Sequence, residues 1–152
     1  CIHANSFYIH KGKFFDLNCR YKIIDSVFTF STNNLIKKYN PHYFIDLHES
    51  RGTECFLYVS RNNYKAFTLS KEIVETLISK GVPIRDKAID RERLHLGIFS
   101  LESFSDYTYN PSMNPIEIIF ETGIDTPLSR RLSWMSFFID AFFLCIKRKN
   151  YD

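Results

Sequence analysis

The chain has no apolar run of the roughly 18 residues that a membrane span requires; the stretch from Leu132 to Ile146 is shorter and is broken by Ser133, Ser136 and Asp140. No signal peptide is visible. Cysteine is sparse: Cys1, Cys19, Cys55 and Cys145 stand far apart with no C-x-x-C pair, which argues against a disulfide framework and for a reducing, cytoplasmic setting. A surplus of one charge is missing too. Twenty basic against 17 acidic residues leave +3, too little and too scattered for a nucleic-acid footprint. Only Lys147-Arg148-Lys149 forms a basic run, and that suits a solvated helix end. There is no internal repeat and no low-complexity segment, and nothing selects an oligomeric state.

What is present is 152 residues, 45% of them hydrophobic, enough for one domain with a real core. Cys1 to Asn5 reads as a short strand, followed by an irregular aromatic and basic loop through Arg20 and Tyr21. Ser31 or Thr32 caps a short helix through Lys38, stopped by Asn40-Pro41 because the residue before proline is pushed out of the helical region. Tyr43 to His48 and Cys55 to Val59 read as strands. Ser70 to Lys80 reads as a helix with Ser70 as N-cap, Gly81 as its stop, and Ile73, Val74, Leu77 and Ile78 as its buried stripe. From Pro83 to Asn114 only a strand near Leu94 to Phe99 can be placed. Pro127 opens a long last helix with apolar positions Leu128, Leu132, Met135, Ile139, Phe142 and Ile146, expected to pack on the sheet. Strands alternating with helices predict an α/β fold: a mixed, largely parallel sheet flanked by helices.

Two apolar runs end on residues suited to chemistry: Phe44-Ile45-Asp46-Leu47-His48-Glu49-Ser50 and Ile116-Glu117-Ile118-Ile119-Phe120-Glu121-Thr122-Gly123. In open α/β sheets the ligand site lies outside the carboxyl ends of the strands, so His48 and Glu121 are expected to converge on one edge. Asp46 shares the face of His48 and is placed to hold it, as a carboxylate holds a metal-ligating histidine; the alternative is a hydrogen-bonded core histidine. Glu121 suits a general base, with Ile116, Ile118 and Phe120 on the other face of its strand. The alternative for it is an edge carboxylate paired with Arg130 or Arg131. Glu117, deeper on the same face, suits a structural ion pair. Upstream, Asp16-Leu17-Asn18-Cys19-Arg20 brings together an amide and a guanidinium fork suited to a carboxylate.

Taken in order, these segments resemble the zinc carboxypeptidase family and its succinylglutamate desuccinylase/aspartoacylase relatives. Asp16-Leu17-Asn18 is similar to that family's Asp-Leu-Asn-Arg segment, which binds the substrate's terminal carboxylate. Asp46-Leu47-His48 is similar to the strand bearing the third zinc ligand. Phe120-Glu121-Thr122, with Pro127, Leu128 and Arg131, is similar to the segment of the catalytic glutamate and the helix after it. The resemblance departs in two places. The family's His-x-x-Glu motif has as its one comparable string His3-Ala4-Asn5-Ser6, with serine for the glutamate, and Cys1 to Ser6 aligns better with the later strand leading into Asp16. Cys19 occupies the family's arginine position, with Arg20 displaced by one. Residues 1–152 are accordingly read as one α/β domain, the C-terminal portion of a larger catalytic domain, a reading that also suits a chain starting on Cys1.

The resemblance implies a zinc-dependent hydrolase: His48 and two further ligands hold zinc, and zinc with Glu121 activates a water that attacks a peptide or amide carbonyl. Glu121 then passes the proton to the leaving amine. Asn18 and Arg20 anchor the carboxylate of a peptide or N-acyl amino acid substrate. The family also uses a loop tyrosine, for which Tyr107 and Tyr109 lie in the right region. Ser6 and Cys19 motivate a second expectation, a metal-free binding domain of the same fold, and a third is a structural fragment without independent function.

Overall fold

Alternating apolar residues along Ile116–Gly123 commit that segment to a strand between two neighbours, and every one of its 8 residues is buried. The structure, a computed structural model, describes residues 7–10, 13–16, 38, 41–60, 63–87, 93–101 and 116–149. Its elements are β1 (Phe7–His10), β2 (Lys13–Asp16), β3 (Tyr43–Ser50), β4 (Phe56–Ser60), α1 (Tyr64–Ser79), β5 (Arg93–His95), β6 (Ile98–Leu101), β7 (Ile116–Gly123) and α2 (Leu128–Lys149). Five strands form one sheet in the order β3-β7-β4-β6-β5, and β1 and β2 pair separately.

The sheet is evenly mixed, which corrects the expectation of a largely parallel one. β3 runs parallel to β7 and β4 to β6, whereas β7 with β4 and β5 with β6 are antiparallel. The cause is the short connection from Ser50 to Phe56, which reverses the chain. β7 then inserts between the two strands that this connection joins, parallel to one and antiparallel to the other.

Both helices cover the same face. Leu57, Val59, Ile98, Ile118 and Phe120 of the sheet form one core with Leu69, Ile73 and Leu77 of α1 and Met135, Phe138 and Cys145 of α2. Its centre is the stack of Phe120 on Phe138, with ring centroids 4.7 Å apart. On the other face Phe56 meets Tyr58 and Phe99 edge to face, with the Arg85 guanidinium 4.8 Å above the Phe56 ring.

Several local expectations are revised. α1 begins at Tyr64, well before Ser70, because the Asn63 side chain accepts the Ala66 N–H at 2.9 Å and caps it there. Ser70 is buried inside the helix, and Ile78 is exposed. The stop is as expected: Gly81 takes φ +75°, its N–H donates to Ile78 O, and that of Val82 donates to Leu77 O, a Schellman closure. The strand expected near Leu94 to Phe99 is two antiparallel strands, β5 and β6, turned at Gly97 with φ +65°. Residues 7–10 and 13–16, read as part of an irregular loop, form a hairpin in which His10 pairs with Lys13. In α2 the buried positions are Met135, Phe138, Ala141, Phe142 and Cys145, whereas Leu128 and Leu132 are exposed. Apolar residues lie almost all round this helix, so period alone could not select its inward face. Lys147 and Arg148 are exposed in its last turn, where they complement the helix dipole.

Candidate active site

In a parallel pair, residues opposite one another point to the same face, on strands roughly 4.8 Å apart. The register of β3 and β7 sets His48 against Glu121 and Glu49 against Thr122. His48 and Glu121 thus share the face away from the helices, and Nδ1 of His48 lies 2.9 Å from Oε2 of Glu121. A carboxylate that is ionised only accepts, so with Glu121 in that form the bond takes its proton from Nδ1, and in a neutral imidazole Nε2 is then the acceptor. The side chain of His48 is 23% exposed and that of Glu121 is 8% exposed, so the pair is reached from solvent through the imidazole.

Glu49 and Thr122 point the opposite way, toward α2. The Glu49 carboxylate is paired with the Arg131 guanidinium, both largely buried. Arg131 Nε also donates to Thr126 O at 3.0 Å, and the Thr122 hydroxyl donates to His48 O at a long 3.4 Å. The turns after the two strands are stitched together. Ile124 N–H donates to Ser50 O at 2.8 Å, Gly52 N–H to Asp125 Oδ2 at 2.9 Å, and Asp125 N–H to Gly52 O at 3.0 Å. Gly123 makes this crossing possible, since a Cβ there would stand 2.6 Å from the Cα of Thr53. Gly52, at φ +105°, supplies the left-handed residue of the turn.

The expected convergence of His48 and Glu121 is therefore present. Arg131, considered as a partner for Glu121, pairs instead with Glu49, a residue that sequence reasoning left unused; its visible signal is its position next to His48 at the strand end. The carboxylate meeting Nδ1 of His48 is Glu121 from the neighbouring strand, while Asp46 lies two residues back on the same face, in register with Ile119. Glu117 is buried opposite Phe44. Asn18, Arg20, His3, Cys1, Cys19, Tyr107 and Tyr109, and the helix expected to end at Lys38 apart from Lys38 itself, which is helical, lie outside the described residues.

Among the described residues no group of three His, Cys, Asp or Glu side chains could hold a metal ion. Zinc sites take at least three protein ligands, so His48 and Glu121 alone do not make one. Nearby, Cys55 is a free, buried thiol pushed up to about 12 by burial, partly opposed by the Gly123 backbone N–H, with Glu54 adding to the rise. Burial likewise raises Cys145, against the pull of Arg148. No helix among the described residues is long and apolar enough to cross a membrane.

No family model and no curated protein matches the chain. A solved structure from Shewanella amazonensis SB2B, described as that of a candidate metallopeptidase, is similar at 16% identity, with a TM-score of 0.55 over 91% of this chain and 52% of that one. The chain thus spans about half the length of that protein. What the likeness shows is a shared α/β fold, with a mixed sheet and helices packed on it.

Proposed function

We propose that this chain carries the catalytic edge of a hydrolase of the zinc carboxypeptidase type, which cleaves a peptide or amide bond next to a carboxylate-bearing residue. The observation that carries this reading is the 2.9 Å contact between His48 and Glu121 at the carboxyl ends of two parallel strands. Glu121 takes a proton from the water that attacks the carbonyl and gives it to the leaving amine. His48, donating from Nδ1, fixes the orientation of that carboxylate. Asn18 and Arg20 are assigned the substrate carboxylate by the resemblance of Asp16-Leu17-Asn18 alone. No step is assigned to zinc, because the described donors number fewer than a zinc site needs.

That same shortage favours a second reading, a metal-free domain that binds a peptide or N-acyl amino acid without cleaving it. Hydrolysis of N-blocked dipeptides and N-acetyl amino acids by the wild type and by Glu121→Gln separates the two. On the hydrolase reading, turnover falls by roughly 10²- to 10⁴-fold in the variant. Full turnover in the variant would refute the role of Glu121. Equal binding of an N-acetyl amino acid by both proteins, with hydrolysis by neither, would establish the binding domain. Zinc content measured beside His48→Ala adds a second axis: one zinc per chain, lost in the variant, supports the hydrolase.

A further inference from the structure

The support around the His48–Glu121 pair is uneven. Glu121 sits on a strand with neighbours on both sides, whereas β3 has β7 on one side only among the described residues, and most of its residues are only partly buried. A strand end held by one ladder can splay, and a hydrogen bond of 2.9 Å does not survive a displacement of about 1 Å. The ladder runs to Ser50 opposite Gly123, and any further tie across it fixes the end of β3 against β7 more firmly.

One side chain reaches both. Arg131, in the first turn of α2, pairs with the Glu49 carboxylate on β3 through Nη1 and donates from Nε to the carbonyl of Thr126, in the turn that follows β7. Glu49 is the residue after His48, so fixing its side chain toward α2 fixes the peptide plane that aims the imidazole the other way. Thr126 in turn donates from its backbone N–H to Gly123 O, two residues after Glu121. The side chains of Arg131 and Glu49 are only 14% and 5% exposed, so the pair is shielded from water and holds its geometry better than a surface ion pair.

We infer that Arg131 is a positioning residue for the His48–Glu121 pair, acting through Glu49 from the opposite face of the sheet. This rests on the proposed role of the pair only for its catalytic meaning; the geometric claim stands apart from hydrolysis. Arg131 touches neither His48 nor Glu121. Its effect on them travels through the two strand ends that it joins.

The test is the hydrogen bond itself, read in ¹⁵N-labelled protein from the imidazole nitrogen shifts of His48 at one pH of about 8, where an ordinary imidazole is neutral. His48→Gln identifies the signals. In the wild type the Nδ1 signal should show the protonated, pyrrole-type shift of a single locked tautomer. Arg131→Met should move both ring nitrogens toward the averaged positions of a free imidazole, at temperatures well below unfolding. If Arg131→Met does not fold, Glu49→Gln/Arg131→Met serves in its place, because it leaves no unpaired buried charge, and it should show the same loss of the locked tautomer. Arg131→Lys, which can keep the Glu49 pair without the fork to Thr126, should restore part of the wild-type signature. A folded Arg131→Met or double variant that keeps the wild-type shifts would overturn the inference, as would a wild type whose His48 is already averaged. Hydrolysis does not enter these readings, so failure of the catalytic proposal and failure of the positioning role are told apart.

Discussion

Replacing Gly123 with alanine puts a methyl group where the chain crosses itself behind the site. The new Cβ would lie 2.6 Å from both the Cα and the carbonyl carbon of Thr53, which are backbone atoms that no rotamer change can move aside. Carbon atoms pack at about 3.5 Å or more, so the turn after β3 must retreat by roughly 1 Å. The hydrogen bonds that span that gap include Ile124 N–H to Ser50 O, Gly52 N–H to Asp125 Oδ2, and Asp125 N–H to Gly52 O, at 2.8, 2.9 and 3.0 Å. A retreat of that size carries them beyond hydrogen-bonding range. At about 0.5–1.5 kcal/mol each, their loss sums to roughly 1.5–4.5 kcal/mol, and overpacking alone typically costs about 1–3 kcal/mol. We expect Gly123→Ala to destabilise the protein by about 2–4 kcal/mol, measured by urea unfolding followed through the single tryptophan, Trp134 of α2. The control is Gly81→Ala. A Cβ at Gly81 meets nothing within 4 Å, but φ is +75°, so it isolates the backbone cost of about 1–2 kcal/mol. A Gly123→Ala protein within about 0.5 kcal/mol of wild type, or one less affected than Gly81→Ala, would refute the close-crossing argument.

Other substitutions test other parts of the account. Phe138→Ala removes a fully buried ring stacked on Phe120 and should cost about 3–5 kcal/mol, lowering Tm in a calorimetric scan, with a double-mutant cycle against Phe120→Leu showing coupling between the rings. Arg131→Met leaves Glu49 as a buried, uncompensated carboxylate and should cost about 3–5 kcal/mol in urea unfolding, most of it recovered in Glu49→Gln/Arg131→Met. For Cys55, burial raises the thiol from an ordinary value of 9.0 to about 12, so the fold favours the protonated form. Its contribution is whole below pH 9 and is lost as pH rises toward 12, so stability should fall across that window in the wild type and fall less in Cys55→Ala. At pH 8 iodoacetamide should label Cys55 only after unfolding.

How much of this was legible in the sequence follows from the range over which each feature is encoded. Alternation within Tyr43–Ser50 and Ile116–Gly123 is local, so both strands and the placement of His48 and Glu121 at their ends could be read directly. Helix α1 could be read through its Gly81 stop, but its start was misplaced because Asn63 and Ser70 are both good caps. Tertiary packing decides between them by burying Ala66 and Leu69. The direction of the strands was illegible for a related reason. A short connection after Ser50 and a strand inserted from more than sixty residues away are facts about pairing, and pairing is set by contacts between distant segments. Arg131 shows the same limit at the level of one side chain. Its place near Glu121 in sequence suggested that partner, but it lies one helical turn past a reversal of the chain, facing the opposite side of the sheet.

The same topology explains why the ties gather where they do. β7 has a partner along each side, so Glu121 needs no further support to hold its place. His48 sits on the strand that has a partner on one side only among the described residues, and the additional contacts described at this edge nearly all secure that strand's end: Arg131 on Glu49, the Thr122 hydroxyl on the His48 carbonyl, Ile124 on Ser50, and Asp125 on Gly52. Geometry at the pair is therefore governed from the histidine side. A substitution that loosens any of these ties displaces the imidazole before it displaces the carboxylate, so damage at Gly123, Asp125 or Arg131 should first appear as a misplaced His48 against a Glu121 that has not moved.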